Sequence, residues 1–276
     1  MTRLTIPEIQ NRKGREPLVA LTAYDFVSAR LAEEAGVDIL LVGDSAAMVV
    51  LGYEDTLPIT MEEMLVFARA VVRGSSRALV VGDMPFMSYQ TGPVEAIRNA
   101  GRFVKEGGCQ AVKIEGGEEI AEIVAAVTRA GIPVLGHIGL TPQRASALGG
   151  YKVQGRDLES ARKLLRDAEA LCQAGIFALL LECVPAELAR VITERVPVPT
   201  LGIGAGPHTD GQILVFHDVV GLWPRFKPRF VRTYGKADQE ILQAVKNYVQ
   251  DVRAGRFPGP DESFGMSPEI LETLKL

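Results

Sequence analysis

Residues 111–137 read AVKIEGGEEIAEIVAAVTRAGIPVLGH, and this stretch contains the repeating unit that decides the fold. Its first apolar run, residues 111–114, predicts a strand, and a second run at residues 132–136 predicts another. An amphipathic stretch lies between the two runs, and Gly131 closes the predicted helix just before the second strand. The stretch therefore predicts one strand–helix unit followed by the next strand of a parallel sheet.

The same alternation of apolar runs and amphipathic stretches continues along the chain. Further strands are predicted at residues 18–22, 38–42, 78–82, 177–181, 199–203 and 212–216. The runs are nearly continuous in apolar character, which is typical of parallel strands covered on both faces. Eight strands in 276 residues predict an α/β fold, a parallel (β/α)8 TIM-type barrel. An open doubly wound sheet is the alternative, and the choice depends on the strand at residues 212–216.

No low-complexity segment or linker interrupts the chain, so we predict a single barrel domain over residues 1–276. Residues 1–16 are predicted to form an N-terminal helical cap, and residues 255–276 a C-terminal extension with a short helix. Thr60 with Glu63 has the pattern of a capping box at a helix start.

Composition and charge exclude several classes of protein. The apolar fraction of 47% and charged fraction of 23% are ordinary for a globular enzyme with a sizeable core. The net charge of −4 does not suggest a nucleic-acid surface. The basic run of Arg225, Lys227, Arg229 and Arg232 is predicted to be a solvated face.

Two further features bear on location. The longest apolar tracts, residues 39–42 and 48–51, are too short to span a membrane, and no apolar stretch follows Arg3 as in a secretory signal. The cysteines Cys109, Cys172 and Cys183 have no C-x-x-C spacing and are predicted to be buried free thiols. We therefore predict a cytoplasmic protein.

Four acids occupy equivalent positions at the ends of predicted strands: Asp44, Asp83, Glu115 and Glu182. Because the C-terminal ends of parallel barrel strands converge on one face, these carboxylates are predicted to share a pocket. Each acid alone is equally explained as a turn or cap residue. Crowded carboxylates repel one another and need a cation, and an all-oxygen set favours Mg²⁺, with Mn²⁺ as the alternative.

Two basic side chains belong to the same predicted rim. Lys113 lies two residues before Glu115, so strand periodicity directs both side chains to one side. We predict that Lys113 holds a substrate carboxylate or stabilises an oxyanion, a structural ion pair being the alternative. His137 ends the predicted fifth strand and is an accessory candidate, although a structural role is equally open. His208 and His217 have no spacing that suggests zinc.

The sequence resembles the ketopantoate hydroxymethyltransferase family in several motifs that occur in the family's order over about residues 20–235. The matching stretches are LTAYD at 21–25, VGDS at 42–45, TLP at 56–58, DMPFM at 83–87, VKIEGG at 112–117, GHIGLTPQ at 136–143, GGYKVQG at 149–155, LECVP at 181–185, GIGAG at 202–206 and TDGQ at 209–212. No single motif is specific, but together they are.

The resemblance implies an enzyme that transfers a hydroxymethyl group from 5,10-methylenetetrahydrofolate to 3-methyl-2-oxobutanoate and produces 2-dehydropantoate for pantothenate and coenzyme A. It implies metal ligation by Asp44, Asp83 and Glu115, keto-acid contacts from Asp44, Ser45, Asp83 and Lys113, and proton abstraction by Glu182. Mg²⁺ would stabilise the enolate of the keto acid. It also implies a homo-oligomer, a decamer in many relatives.

The sequence departs from the family pattern in the loop after the second strand. Ala47 stands where many relatives have glycine, and Leu51 replaces a commoner glutamine. Two other functions remain open: a Mg²⁺-dependent lyase or mutase of the isocitrate lyase and phosphoenolpyruvate mutase type, and a catalytically silent barrel. A folate requirement separates the transferase from the lyase.

Overall fold

A computed structural model describes residues 2–147, 149–222 and 228–274 of the chain. Arg225 and Lys227 of the basic run lie outside the described residues. The strands are β1 Leu18–Thr22, β2 Ile39–Val42, β3 Leu79–Asp83, β4 Ala111–Glu115, β5 Val134–Gly139, β6 Ala178–Glu182, β7 Thr200–Ile203 and β8 Gly211–Leu214. The helices are α1 Ile6–Gln10, α2 Phe26–Glu34, α3 Ala46–Val49, α4 Met61–Gly74, α5 Pro93–Lys105, α6 Ala121–Arg129, α7 Leu158–Gln173, α8 Ala186–Arg195, α9 Phe216–Val220, α10 Ala237–Arg253 and α11 Pro268–Thr273.

The strands form a closed parallel barrel in sequence order. β8 closes it by pairing with β1, with Leu18 opposite Gly211 and Ala20 opposite Ile213. This closure confirms the (β/α)8 barrel and excludes the open sheet. The capping box at the start of α4 is also present: the Thr60 side chain accepts a hydrogen bond from the Glu63 amide, and the Glu63 carboxylate accepts one from the Thr60 amide.

The predicted bounds of two strands, β5 and β8, were wrong by two or more residues, and those of the other strands differ by at most one residue. β5 continues to Gly139, so His137 lies inside this strand, because its pairing with β6 extends from Leu135 to Gly139. The eighth strand ends at Leu214, and Phe216 begins α9. The Phe216 amide donates to the Thr22 hydroxyl at 2.9 Å, so it does not continue the strand ladder.

Side chains inside the barrel separate into an apolar lower layer and a polar upper rim, where "upper" means the C-terminal ends of the strands. The lower layer includes Ile9 of α1 packed with Leu18, Leu79 and Leu135. Outward-facing strand residues form a second apolar layer against the helices. The predicted boundaries at residues 1–16 and 255–276 stay predictions.

The cysteines are unpaired in the described part of the chain. Cys109 is buried, as predicted, whereas Cys172 and Cys183 are only partly buried. Within the described ranges, no helix is both long and apolar enough to cross a bilayer.

Candidate active site

A cavity of about 530 Å³ opens at the upper rim of the barrel. It is lined by every residue that the sequence singled out as a site candidate: Asp44, Ser45, Asp83, Lys113, Glu115, His137 and Glu182. The strand register explains the convergence, because Asp83 lies opposite Lys113 and Glu115 lies opposite His137 on neighbouring strands. Side chains at alternate strand positions then enter the same barrel interior.

The ammonium group of Lys113 is at the centre of the buried part of the site. Its Nζ lies 3.0 Å from Asp83 Oδ1 and 2.9 Å from Glu115 Oε1, and the lysine side chain is only 3% exposed. Burial alone would lower the pKa of Lys113, but the charges of Asp83 and Glu115 raise it well above its usual value. Lys113 is therefore a permanent cation in this site.

The carboxylates around Lys113 are not equivalent. Burial and the neighbouring charges of Asp83 and Glu115 raise the pKa of Asp44 well above its usual range. Burial also raises the pKa of Asp83, against the opposing charge of Lys113. Glu115 differs, because the opposing charge of Lys113, the largest effect that acts against its burial, lowers its pKa to about 2. The protein around Asp44 and Asp83 thus disfavours the ionised forms of these two carboxyl groups.

Two residues that contact the candidate site escaped the sequence reasoning. The Gln143 side-chain amide donates to Asp44 Oδ2 at 3.0 Å and to the Met84 carbonyl at 2.9 Å. The Tyr89 hydroxyl contacts the Gln143 side-chain oxygen at 3.0 Å. Gln143 belongs to the 136–143 motif, so the family resemblance included this residue. The sequence did not predict a role for it, because a neutral side-chain amide does not belong to a pattern of charged residues.

His137 connects the buried cluster to Glu182. Its Nδ1 lies 3.1 Å from Lys113 Nζ, and its Nε2 lies 3.3 Å from Glu182 Oε2. Burial and Lys113 lower its pKa, but contacts with Glu115 and Glu182 raise it overall, to about 9. The short contact between Nδ1 and an ammonium group nevertheless favours Nδ1 as an acceptor, so we assign the neutral tautomer, whose Nε2–H is near Glu182 Oε2 but is not aligned for a hydrogen bond.

Ser45 and the loop that departs from the family pattern lie beside Asp44. The Ser45 hydroxyl is 2.9 Å from the Tyr24 hydroxyl, which fixes its position at the cavity wall. The loop forms α3, in which Ala47 is buried and its amide donates to the Asp44 carbonyl at 2.9 Å. Leu51 is exposed. Alanine is a good helix former, so the departure at Ala47 is compatible with this short helix.

The outer wall of the cavity is apolar and is built partly on the glycine-rich loop after β7. Leu140, Pro142, Val153 and Phe230 line this wall. Gly204 has φ +63°, and a Cβ there would lie 2.7 Å from the Phe230 ring. Glycine thus lets the aromatic ring pack directly on the loop backbone.

The donor set fits a hard divalent cation in part. Asp83 Oδ1 is buried without an aligned hydrogen-bond partner among the described residues, although Lys113 Nζ is within ionic contact. Both Glu115 carboxylate oxygens already have partners. Oε1 contacts Lys113 Nζ, and Oε2 accepts a hydrogen bond from the backbone amide of Gln143 at 3.2 Å. No group of three or more acidic, histidine or cysteine side chains in the described residues is already arranged as a metal site. Asp44 and Asp83 therefore fit as oxygen ligands of Mg²⁺ better than Glu115 does.

Comparison with known proteins places the chain in a family. The profile described as ketopantoate hydroxymethyltransferase matches residues 3–260. The chain belongs to the ketopantoate hydroxymethyltransferase family. A family relative from Carboxydothermus hydrogenoformans, named 3-methyl-2-oxobutanoate hydroxymethyltransferase, is 58% identical over 275 residues, which cover 99% of this chain and 100% of the relative. A Thermus thermophilus relative of the same name is 56% identical over 262 residues, covering 95% of this chain and 100% of the relative.

Solved structures with the same architecture are more distant in sequence. A phosphoenolpyruvate phosphomutase from Streptomyces platensis superposes with a TM-score of 0.62 at 17% identity, over 99% of this chain and 96% of that one. A 2,3-dimethylmalate lyase superposes with a TM-score of 0.60 at 19% identity, over 98% and 92% of the two chains. At this identity the similarity establishes a shared barrel for the family and nothing about its chemistry.

Proposed function

We propose that this chain transfers a hydroxymethyl group from 5,10-methylenetetrahydrofolate to 3-methyl-2-oxobutanoate and produces 2-dehydropantoate. The observation that carries the proposal is the division of charged groups within one cavity. Lys113, Asp83 and Glu115 form a buried ionic cluster, whereas Glu182 has a 16% exposed side chain and faces the cavity beside His137. One part of the site suits binding of an anion with a metal, and the other suits proton transfer.

The charge balance supports a cation in the site. The cavity is lined by five carboxylates, from Asp44, Asp83, Glu115, Glu182 and Asp218, and by three cationic side chains, from Lys113, Lys152 and Arg229. A keto acid brings a further negative charge, so a bound cation would favour its binding beside the buried carboxylates. We propose that Asp44 and Asp83 hold Mg²⁺, with Mn²⁺ as the alternative and Glu115 as the third predicted ligand. When bound, the ion supplies Lewis-acid polarisation of the keto oxygen.

The chain's own residues then perform the chemistry. Lys113 attracts the substrate carboxylate, and Ser45 donates a hydrogen bond to it. Glu182 accepts the proton from C3 of the keto acid, while His137 Nε2–H orients its carboxylate. Water adds to the methylene carbon as both of its bonds to the folate nitrogens break, and the two protons of water pass to those nitrogens. The carbanion at C3 then forms a bond to the one-carbon unit released, whose oxygen becomes the new hydroxyl oxygen and takes the proton held by Glu182.

The apolar wall supports a second, larger substrate. A five-carbon keto acid held at Lys113 leaves most of the cavity of about 530 Å³ unfilled. Leu140, Val153 and Phe230 provide an apolar surface on which the face of a ring packs. This surface supports a folate co-substrate, whose polar groups would need hydrogen-bond partners elsewhere in the cavity. We also propose a cytoplasmic homo-oligomer, and the decamer stays a prediction.

The test follows the C3 proton of 3-methyl-2-oxobutanoate by NMR in deuterated water. We expect Mg²⁺-dependent loss of the signal in the absence of folate, followed by product when 5,10-methylenetetrahydrofolate is added. Glu187, which is exposed on α8 away from the cavity, provides a matched control as Glu187→Gln. Exchange without folate-dependent product would point to a lyase or mutase, and the absence of exchange would leave the catalytically silent barrel.

A further inference from the structure

Gln143 contacts the ends of three neighbouring strands at the upper rim. It lies in the short 3₁₀ turn Pro142–Arg144 after β5 and is only 4% exposed. Its backbone amide donates to Glu115 Oε2 at the end of β4, and its side-chain amide donates to Asp44 Oδ2 after β2 and to the Met84 carbonyl after β3. One uncharged residue thus joins the loop after β5 to the acids of the site.

The hydrogen-bond partners of the Gln143 side chain determine which way its amide points. The Tyr89 hydroxyl donates to Gln143 Oε1 at 3.0 Å, and the Gln90 side-chain amide donates to the same oxygen at 3.3 Å. Nε2 lies 2.9 Å from the Met84 carbonyl oxygen, which can only accept a hydrogen bond. The reverse orientation would place two acceptor oxygens against each other there. The N–H group that faces Asp44 is therefore set by its surroundings.

The Gln143 amide orients the Asp44 carboxylate. Within the described residues, no other group donates a hydrogen bond to this carboxylate. Asp44 Oδ1 accepts no hydrogen bond from those residues, and the side chain lines the cavity. Asp83 is held in a similar way, because its Oδ2 accepts a hydrogen bond from the Asp44 backbone amide at 2.9 Å. Each of the two carboxylates thus has one oxygen, Oδ2, held by an uncharged donor.

An uncharged donor suits position 143 better than a charged side chain would. The Lys113 ammonium group already lies 3.0 Å from Asp83 Oδ1 within the buried cluster. A second cation beside Asp44 would neutralise this carboxylate and repel a metal ion. A carboxylate at position 143 would instead face Asp44 and the Met84 carbonyl without a hydrogen to donate. The amide orients the Asp44 carboxylate and leaves its charge available to a cation.

We propose that Gln143 is a positioning residue for the divalent cation: by holding Asp44 Oδ2, it fixes the orientation of the carboxylate that takes the ion and thereby sets the affinity of the site. This role rests on the proposed function, in which Asp44 and Asp83 hold Mg²⁺. Groups that hydrogen-bond to ligating side chains orient them, and their loss costs roughly 10–100-fold in metal affinity. Gln143 acts through Asp44 and takes no part in proton transfer.

Direct measurement of metal binding tests this role without the use of activity. The probe is Mn²⁺, whose free concentration is followed by electron paramagnetic resonance in the presence of the full chain. Gln143→Met keeps a side chain of similar length and removes the amide, so we expect Mn²⁺ to bind roughly 10–100-fold more weakly than to the wild-type chain. Gln154→Met is the matched control and should bind Mn²⁺ as the wild-type chain does. Gln154 is on the same loop, does not line the cavity, and donates to the Lys152 carbonyl at 3.0 Å.

The dependence of C3 proton exchange on Mg²⁺ separates positioning from a general structural role. In Gln143→Met, the Mg²⁺ concentration for half-maximal exchange should rise by the same factor as the dissociation constant of Mn²⁺. The rate of exchange at saturating Mg²⁺ should stay close to that of the wild-type chain. Unchanged Mn²⁺ affinity, equal weakening in Gln154→Met, or a lower rate that saturating Mg²⁺ does not restore would each overturn the role of Gln143.

A second variant decides the matter if Gln143→Met does not fold. Tyr89→Phe combined with Gln90→Leu removes both donors to Gln143 Oε1, so the amide loses the contacts that set its direction, and Mn²⁺ should bind several-fold more weakly. Unchanged affinity in this double variant would then overturn the role of Gln143. A wild-type chain that binds Mn²⁺ but gives no folate-dependent product would contradict the proposed reaction and leave the role of Gln143 standing. A wild-type chain that binds no Mn²⁺ would contradict both.

Discussion

Acids at the two ends of this barrel have opposite electrostatic properties. At the lower end, Asp210 accepts hydrogen bonds from the amides of Gly14 and Thr200, both at 2.8 Å, and contacts Lys13 Nζ at 2.9 Å. Burial would raise the pKa of Asp210, but these donors lower it. At the upper end, Asp44 is 5% exposed where it lines the cavity, faces Asp83 and Glu115, and has a pKa well above its usual range.

The difference separates structural acids from functional ones. A buried carboxylate supplied with donors contributes to stability, whereas crowded carboxylates without enough donors destabilise the fold until a ligand arrives. The protein tolerates that cost at the rim because the charges there are available to a metal and a substrate. Burial alone would not distinguish the two ends, but the count of donors around each carboxylate does.

The largest expected effect concerns the acid of the upper end that is least buried. Glu182→Gln should reduce exchange of the C3 proton by about 10²–10⁴-fold, because an amide cannot accept the proton. Stability should change little, since the Glu182 side chain is 16% exposed and its carboxylate contacts His137 Nε2 at 3.3 Å. The measurement is proton exchange by NMR together with urea unfolding.

Glu187→Gln should alter neither quantity. Exchange of the C3 proton at the wild-type rate in Glu182→Gln would show that Glu182 is not the base.

Removing the central cation, Lys113, should destabilise the whole cluster of charged groups at the upper end. Lys113→Met leaves Asp83 and Glu115 buried without their counter-charge, which should lower the free energy of unfolding by about 3–5 kcal/mol. Lys163→Met is the control, because Lys163 forms an ion pair at 2.8 Å with Asp167 but is 52% exposed. The control should cost about 1 kcal/mol or less. Equal losses measured by urea unfolding would contradict the central role of Lys113.

Added metal should stabilise the folded protein through the acids of the upper end and not through those of the lower end. Mg²⁺ at a hundredfold excess over its dissociation constant should raise the free energy of unfolding by about 2.7 kcal/mol. Asp83→Asn should abolish this increase, and Asp210→Asn should retain it. Thermal unfolding with and without Mg²⁺ checks the prediction, and an increase of the same size in Asp83→Asn would exclude Asp83 as a ligand.

Neutralising one acid at each end without metal should change stability in opposite directions. Asp44→Asn removes a repelled charge while its oxygen still accepts from Gln143, so we expect a gain of roughly 1 kcal/mol. Asp210→Asn weakens charge-assisted hydrogen bonds, and the Asp210 side chain is only 6% exposed. We therefore expect the free energy of unfolding to fall by roughly 2 kcal/mol. Urea unfolding at neutral pH in a metal chelator measures both. A loss in Asp44→Asn would show that this carboxylate is structural.

The sequence predicted the barrel and the residues at its rim for a clear physical reason. Apolar runs of strand length locate strands, and strand order in a barrel brings their C-terminal ends together. Asp83, Glu115 and Glu182 therefore appeared as one site before any coordinates. The end of β5 at Gly139 was missed because it depends on pairing with β6, which is a contact between distant residues.

Other features could not be read from local pattern. The role of Gln143 arises from contacts with residues 28, 59 and 99 positions away along the chain. The 50% exposure of Val19 on the outer face of β1 was equally invisible, because Val19 belongs to an apolar run like those of fully covered strands. Periodicity states that a strand face is apolar, but only the assembled structure shows which helix covers it.

The smallest effect should come from Glu33, an acid outside the upper end. Its carboxylate accepts hydrogen bonds from the amides of Ser76, Arg77 and Ala78, which outweigh its partial burial and lower its pKa from 4.5 to about 2. Because the folded-state pKa is depressed, its contribution to stability is complete above pH 4.5 and is lost as the pH falls towards 2. Glu33→Gln should therefore flatten the acid side of the stability profile between these pH values.

Asp44 predicts the opposite slope. Its raised pKa makes the folded state less stable as the pH rises above the value at which the unfolded chain loses that proton. In a metal chelator, Asp44→Asn should remove this decline while leaving the acid side unchanged. If Glu33→Gln and Asp44→Asn alter the same part of the urea-unfolding pH profile, the two sets of acids are not electrostatically distinct, and the comparison between them fails.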